Sequence, residues 1–352
     1  MRWILVFTLV VSLFTVFISV SDEKPSESEL YLASTSAYLD SLHAAGALSG
    51  NVLIADKGEV LFSKSYGLAE HESERDLVEG TPFYLASVSK QFTCMSILIL
   101  ANQGKLDIDD KVSQYLDLPN YASEVTIRQM MNHVSGLPDY YDIGAYKTGM
   151  TNKDVNEAIV DLDSLDFESG SKYAYSNTAY VLLSEITEAV SGTSFREFMA
   201  ENIFSPLEMA STTVFDTTEP SVPNRAKGYN TDLSLNDYDA FTTGGGGIFS
   251  NVQDLLKWER TLYTEKLIPQ ELLQQAYTPS TLSSGEASYY GFGWFLSEEF
   301  PNRVYHTGSL AGFRTCLFRD LERELAVIIL SNHSNEVLPI AKHLLDTYTK
   351  SE

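Results

Sequence analysis

The sequence predicts an α+β fold in two lobes, from three observations. Strand-like runs lie near both ends of the chain, at 51–64 and 291–330. Helical periodicity fills most of the stretch from about 106 to 240. A last helical pattern at 336–348 closes the chain. Strands at both ends with helices between them imply one sheet assembled from the two chain ends, with a helical insertion. The lobes are then about 29–105 with 241–352, and about 106–240. A cleft between lobes is the expected place for a site.

Taken in order, the chain starts Met1-Arg2 and runs almost wholly apolar from Trp3 to Val20. Ser19 and Ser21 before Asp22 fit a signal peptide, 1–21, cleaved after Ser21. The run is long for such a signal, so an uncleaved anchor stays open. The reading expects a domain of 22–352, exported to the periplasm or beyond the cell, and in contact with a membrane only if the first segment is retained. Residues 22–28 read as a loose leader, and 29–47 as a helix ending before Gly50. Asn51–Ala55 and Val60–Lys64 around Asp56-Lys57-Gly58 read as a β-hairpin. Ser87 opens a buried helix to Ala101. Further helices are expected at 126–133, 152–162, 178–190 and 194–202, with Gly136 and Gly192 where C-terminal caps belong. A glycine run, Gly244–Gly247, precedes a helix at 252–263. Strands follow at 291–296, 304–306, 315–319 and 325–330.

Composition excludes some roles. Asp and Glu number 48 against 24 Lys and Arg, a net charge of −24. Such a surface repels phosphate backbones, so nucleic acid is not an expected partner. The six histidines show no ligand spacing with one another or with Cys94 and Cys316. No metal or organic cofactor is expected, and both cysteines read as buried small hydrophobes.

Three short motifs carry chemistry. In "YLASVSKQFT", Ser87 and Lys90 lie one turn apart where an apolar run begins, so they share a face. A helix start there would favour an alkoxide at Ser87, and a partly buried Lys90 would have a lowered pKa and could take the serine proton. The bland alternative is a capping serine beside a solvated lysine. Ser-x-x-Lys also occurs at Ser21–Lys24 and Ser169–Lys172, in polar, turn-like surroundings. In "KYAYSNTAY", Tyr175 and Asn177 can place a phenol and a carboxamide on one side of a loop entering a helix. In "VYHTGSLAGFRT", a strand ending at His306 is followed by Thr307 and Gly308, where glycine permits close backbone approach. His306 reads as a substrate contact, a titrating group or a structural residue. Pairing His133 with Ser135 is rejected on geometry, and no Gly-x-Ser-x-Gly elbow exists.

Together the motifs resemble the Ser-x-x-Lys, Ser-Asp-Asn and Lys-Thr-Gly set of penicillin-recognising serine enzymes. With tyrosine in the second motif, the chain is similar to the branch holding class C β-lactamases, D,D-carboxypeptidases, D-aminopeptidases and β-lactamase-like esterases. "GNVLIADKGEVLFSKSYGLAE", "MMNHVSGLPDYY", "FSPLEMAST", "GGGGIFSNVQDLLKW" and "YGFGW" extend the resemblance over roughly residues 30–348. It implies an antiparallel sheet flanked by helices beside an all-helical lobe. It implies Ser87 as acylated nucleophile, Lys90 and Tyr175 sharing base and proton-relay work, and Asn177 orienting substrate. It also implies an oxyanion hole from the N–H groups of Ser87 and Ser309. The departure is His306, where penicillin-directed members carry a lysine that supplies positive charge for a carboxylate. An ester or a D-amino-acid amide is then expected ahead of a β-lactam or a D,D-peptide. The partner is a small-molecule or peptide-like substrate. Tyr140, Tyr141, Tyr289 and Tyr290 are expected to wall the pocket. A non-catalytic binding protein on this fold is the alternative of another class.

Overall fold

The computed structural model of the chain describes residues 26–351. The signal-peptide reading and the Ser21–Lys24 motif lie outside the described residues. Helix α1 (Glu27–Ala44) starts inside the stretch read as a loose leader, because Ser26 builds a capping box. Its Oγ accepts from Glu29 N at 3.2 Å, and the Glu29 carboxylate accepts from Ser26 N at 2.8 Å, which satisfies two orphan donors.

Strands β1 (Gly50–Asp56) and β2 (Glu59–Tyr66) form the expected hairpin. Lys57 and Gly58 both take positive φ, the twist a two-residue hairpin turn requires. The remaining strands of the main sheet are β3 (Phe295–Leu296), β4 (Arg303–Leu310), β5 (Phe313–Asp320) and β6 (Leu325–Ser331). Their order is β3-β4-β5-β6-β1-β2, antiparallel throughout. β6 pairs with β1 along its whole length, from Gly50 opposite Ser331 to Asp56 opposite Leu325. The sheet therefore joins the two ends of the chain.

Both sheet faces are covered. Val52, Ile54, Val327 and Ile329 pack with α1 and a C-terminal helix, while Leu53, Ala55, Ile328 and Leu330 join the larger core on the other side. Period-two alternation thus separates two apolar layers rather than an apolar and a wet one, which is why these strands read as near-continuous apolar runs. The helices after α1 are α2 (Lys90–Asn102), α3 (Ile127–Met131), α4 (Asn152–Val160), α5 (Asn177–Ser191), α6 (Phe195–Met199), α7 (Val252–Thr261), α8 (Gln270–Gln274) and α9 (Leu338–Ser351). A small three-stranded sheet, Phe83–Tyr84 with Ile248–Ser250 and Thr213–Val214, was not anticipated.

Several expected boundaries move for physical reasons. Ser87 does not open an α-helix. It lies in a 3-10 turn, Ala86–Ser89, and the α-helix begins at Lys90. The helix expected at 126–133 ends at Met131 because His133 takes φ +56°. Gly136 is therefore no helix cap; it holds a later left-handed turn where a Cβ would lie 2.2 Å from Phe167 O. Gly192 does cap α5, at φ +77°. The strand expected at 291–296 shrinks to two residues, since Gly291 and Gly293 press backbone against Ala276 and Gln91. The strand expected to stop at His306 runs on to Leu310, so Gly308 sits within it, opposite Thr315.

Gly308 joins sheet to site. A Cβ there would lie 2.2 Å from both Leu85 O and Thr315 Oγ1. Gly308→Ala should therefore force β4 away from the Leu85–Ser89 segment and lower unfolding free energy by about 1–3 kcal/mol. Urea unfolding reads this, and an unchanged midpoint would contradict the packing argument.

Candidate active site

The segment that presents Ser87 is held from three sides. Leu85 N donates to Ile248 O at 2.8 Å, and Leu85 O accepts from Thr315 Oγ1 at 2.7 Å and Val88 N at 3.2 Å. Ala86, immediately before Ser87, takes φ +49°. For a residue with a Cβ that conformation costs about 1–2 kcal/mol, which these contacts offset.

Lys90 is fully buried. Its Nζ lies 2.7 Å from Gly245 O, 2.8 Å from Asn177 Oδ1 and 3.3 Å from Ser87 Oγ. It also stands 4.7 Å from the centre of the Tyr175 ring. As an ammonium it donates to all three oxygens. As an amine its two N–H groups serve the two carbonyl oxygens, and its lone pair is left for the Ser87 hydroxyl. Burial pushes its pKa down to about 7, with the Asp139 carboxylate acting in the opposite direction. The capping-serine, solvated-lysine alternative does not fit this geometry.

Tyr175 and Asn177 arrive on the loop that enters α5, where Ser176 is the N-cap. The Tyr175 phenol is hydrogen-bonded with Ser87, which favours its ionised form, but burial dominates and holds its pKa well above the usual tyrosine value. It is therefore a neutral proton carrier at ordinary pH, not a standing phenolate. Gly245 offers its carbonyl because the glycine run folds against its neighbours. A Cβ on Gly244 would lie 2.0 Å from Tyr180 O, and one on Gly246 2.3 Å from the Tyr84 hydroxyl.

A cavity of about 230 Å³ opens over Ser87. Asn177 and Ser309 line it, with Tyr84, Tyr141, Thr242 and Leu310. Among the described residues, no Lys or Arg lines it. His306 lies close to the reacting groups, its ring centre 6.3 Å from that of Tyr175, but behind the cavity wall rather than on it. It is 1% exposed and absent from the cavity wall; Nδ1–H donates to Thr307 O at 2.7 Å and Nε2 accepts from the Tyr290 hydroxyl at 2.8 Å. Burial, aided by the Lys90 charge, lowers its pKa to about 3, so the ring is neutral. Thr307 and Gly308 are also off the cavity wall, and Gly308 acts as the close contact to Leu85. Of the four tyrosines expected to wall the pocket, only Tyr141 does so. Tyr140 and Tyr290 are buried and Tyr289 is exposed.

Sequence reasoning missed Asp139, Gly245, Tyr84 and Thr242. Asp139 binds the Asn177 backbone and side chain from 38 residues away, and no local pattern announces such a contact. His133 and Ser135 make no pair: His133 Nδ1 accepts from Ser176 N, and Ser135 Oγ accepts from Leu137 N. Both cysteines are free and buried.

The family model described as Beta-lactamase matches residues 36–346. A penicillin-binding protein of Bacillus subtilis (strain 168) is 34% identical over 327 residues, covering 84% of this chain and 72% of that protein. Protein flp of Staphylococcus aureus (strain MW2) is 28% identical over 86% of this chain, which spans only 62% of the length of that relative. Among solved structures, the octameric penicillin-binding protein homologue from Pyrococcus abyssi superposes with a TM-score of 0.80 at 24% identity, over 90% of this chain and 77% of that one. EstCE1, a hydrolase with promiscuous acyltransferase activity, gives 0.76 at 21% identity over 90% and 98%. The D-amino acid amidase from Ochrobactrum anthropi SV3 gives 0.74 at 22% over 91% and 98%. These structural likenesses establish the antiparallel sheet-and-helix fold.

Lys90 also makes a stability prediction. Below about pH 7 the buried ammonium costs stability. Between about 7 and the ordinary 10.5, the folded site has released its proton while the unfolded chain still holds it, so that cost is relieved as pH rises. The stability of wild type minus that of Lys90→Met should climb from about pH 7 to about pH 9, by at most about 1.4 kcal/mol per pH unit. Paired urea melts measure it, and a flat or falling difference would mean that Lys90 is not a depressed lysine.

Proposed function

The chain belongs to the Beta-lactamase family of serine hydrolases, and on that premise we propose that it hydrolyses an ester or a D-amino-acid amide through an acyl-enzyme on Ser87. The observation that carries the reading is the Lys90 amine, fully buried and 3.3 Å from Ser87 Oγ, with two carbonyl oxygens occupying its other hydrogens. Ser87 Oγ attacks the substrate carbonyl carbon while its proton passes to Lys90 Nζ. The tetrahedral oxyanion is received by the Ser87 and Ser309 N–H groups. Tyr175 relays that proton from Lys90 to the leaving oxygen or nitrogen as the scissile bond breaks, giving up its phenol hydrogen and taking the lysine's, so that both groups enter the second half neutral. Asn177 orients the acyl group. Water then attacks the ester, gives up a proton to the same base, and Ser87 is restored.

Substrate preference follows from charge. Among the described residues no Lys or Arg lines the cavity, and His306 is neutral, so a carboxylate beside the scissile bond finds no counter-charge on that wall. Tyr84, Tyr141 and Leu310 suit an apolar acyl or side-chain group. The second reading, slow acylation by a penicillin or a D,D-peptide, draws on the name of the Bacillus relative. Export directed by residues 1–21 belongs to the same proposal, and amino-terminal sequencing of the secreted chain tests it.

The first test is intact-mass analysis of wild type and Ser87→Ala after incubation with an activated short-chain ester, a D-amino-acid anilide and a penicillin. Wild type should gain an acyl mass or turn over the ester or the anilide, and Ser87→Ala should lose at least ~1000-fold in rate. A wild type that neither labels nor turns over any of the three would point to a binding protein on this fold. The second test is the pH dependence of kcat/KM. The base must be neutral, so the rate should rise with pH and level off above about 7. A profile flat across that range would remove Lys90 from the base role.

A further inference from the structure

Asp139 stands one layer beneath the reacting groups, 6% exposed, on the loop that follows α3. Its Oδ2 accepts from Asn177 N at 2.5 Å and from Asn177 Nδ2 at 2.9 Å, and its Oδ1 accepts from Tyr141 N at 2.9 Å. The other end of the Asn177 amide, Oδ1, accepts from Lys90 Nζ at 2.8 Å. An amide has one end that donates and one that accepts, and the two ends have nearly the same shape. A carboxylate only accepts and an ammonium only donates, so Asp139 on one side and Lys90 on the other leave the amide a single orientation.

We propose that Asp139 is a positioning residue for the acylation step: it locks the Asn177 amide with its oxygen towards Lys90, and so keeps the lysine nitrogen against Ser87. This rests on the reading of Ser87 and Lys90 as nucleophile and base. The same carboxylate ties Tyr141, part of the cavity wall, to the site through its backbone. A second effect is electrostatic. Lys90 faces Asp139 across Asn177, Cys94 on its own helix, the rings of Tyr175 and Tyr180, and more distantly His133 and His306. Among these, Asp139 is the leading group that favours the ammonium.

A purely structural role is the competing account, since Asp139 also accepts the first N–H of α5 and sits where a carboxylate suits a helix dipole. Asp139→Asn and Asp139→Ser separate the two. Each retains an acceptor for that N–H and loses the charge. In the Asp139→Asn variant two amides face each other, and Asn177 can turn its donors towards Lys90. The readouts are kcat and KM against pH for the best substrate, and direct titration of Lys90 by ¹³Cε-lysine NMR, assigned with Lys90→Met. Both variants should lose about tenfold or more in kcat with KM within about threefold, and the acid limb and the Lys90 midpoint should both move down by about half a pH unit or more. Profiles and midpoints that coincide with wild type would overturn the proposal. So would failure of both variants to fold, which would assign Asp139 to the fold alone. If Ser87→Ala keeps its activity, the nucleophile reading fails, while the Lys90 titration still judges Asp139.

Discussion

A buried amine must be solvated by the protein itself, and the arrangement of this site answers that demand. Lys90 has left water entirely, and three oxygens from three parts of the chain replace it. One comes from the turn just before its own helix, one from the start of α5, and one from the glycine run before α7. Each supplies what an isolated buried charge would otherwise lack, at a penalty of several kcal/mol. The fold brings these segments together, and α2, buried over most of its length, has little freedom to move away.

Close backbone contact makes the geometry stiff. Gly308 lets β4 lie on Leu85, Gly293 lets its turn lie on Lys90 and Gln91, and Gly244 and Gly246 let their loop lie on Tyr180 and Tyr84. A side chain at any of these places would meet backbone or a buried ring. The nucleophile segment is consequently gripped rather than capped, and the left-handed Ala86 is tolerated within that grip. Close packing of this kind suits a site whose base must wait at 3.3 Å from the serine rather than swing towards it.

Burial also decides which groups carry charge. The same desolvation that brings Lys90 near neutrality leaves His306 uncharged and raises the Tyr175 phenol. A histidine in place of a lysine thus changes more than a side-chain shape. It removes a permanent cation, and the tight bonds to Thr307 and Tyr290 turn the residue into part of the wall behind the site. In a chain of net charge −24, the lysine beside Ser87 is buried with its pKa brought down to about 7, and it is engaged with the serine rather than with a distant substrate group.

Local pattern sufficed for much of this. Apolar runs at 51–55 and 325–330 marked strands, and the structure shows both faces of those strands covered by apolar layers. The periodicity of α5 and α7 marked helices. Ser87, Lys90, Tyr175 and Asn177 were legible because their types and order are chemically distinctive. Boundaries were less so. The 3-10 turn at Ser87 follows from Leu85 contacts to Ile248 and Thr315, and the stop at Met131 goes with the left-handed His133, whose carbonyl and ring bind Ala174 N and Ser176 N; no local window contains these partners. The bond that holds His306 off the cavity, the Asp139 grip on Asn177 and the Gly245 carbonyl on Lys90 span 16, 38 and 155 residues of chain. Residue type and spacing determined which chemistry was possible; the tertiary structure alone decided which groups lose water and which partners replace it, because desolvation depends on everything packed around a group and not on its neighbours in sequence.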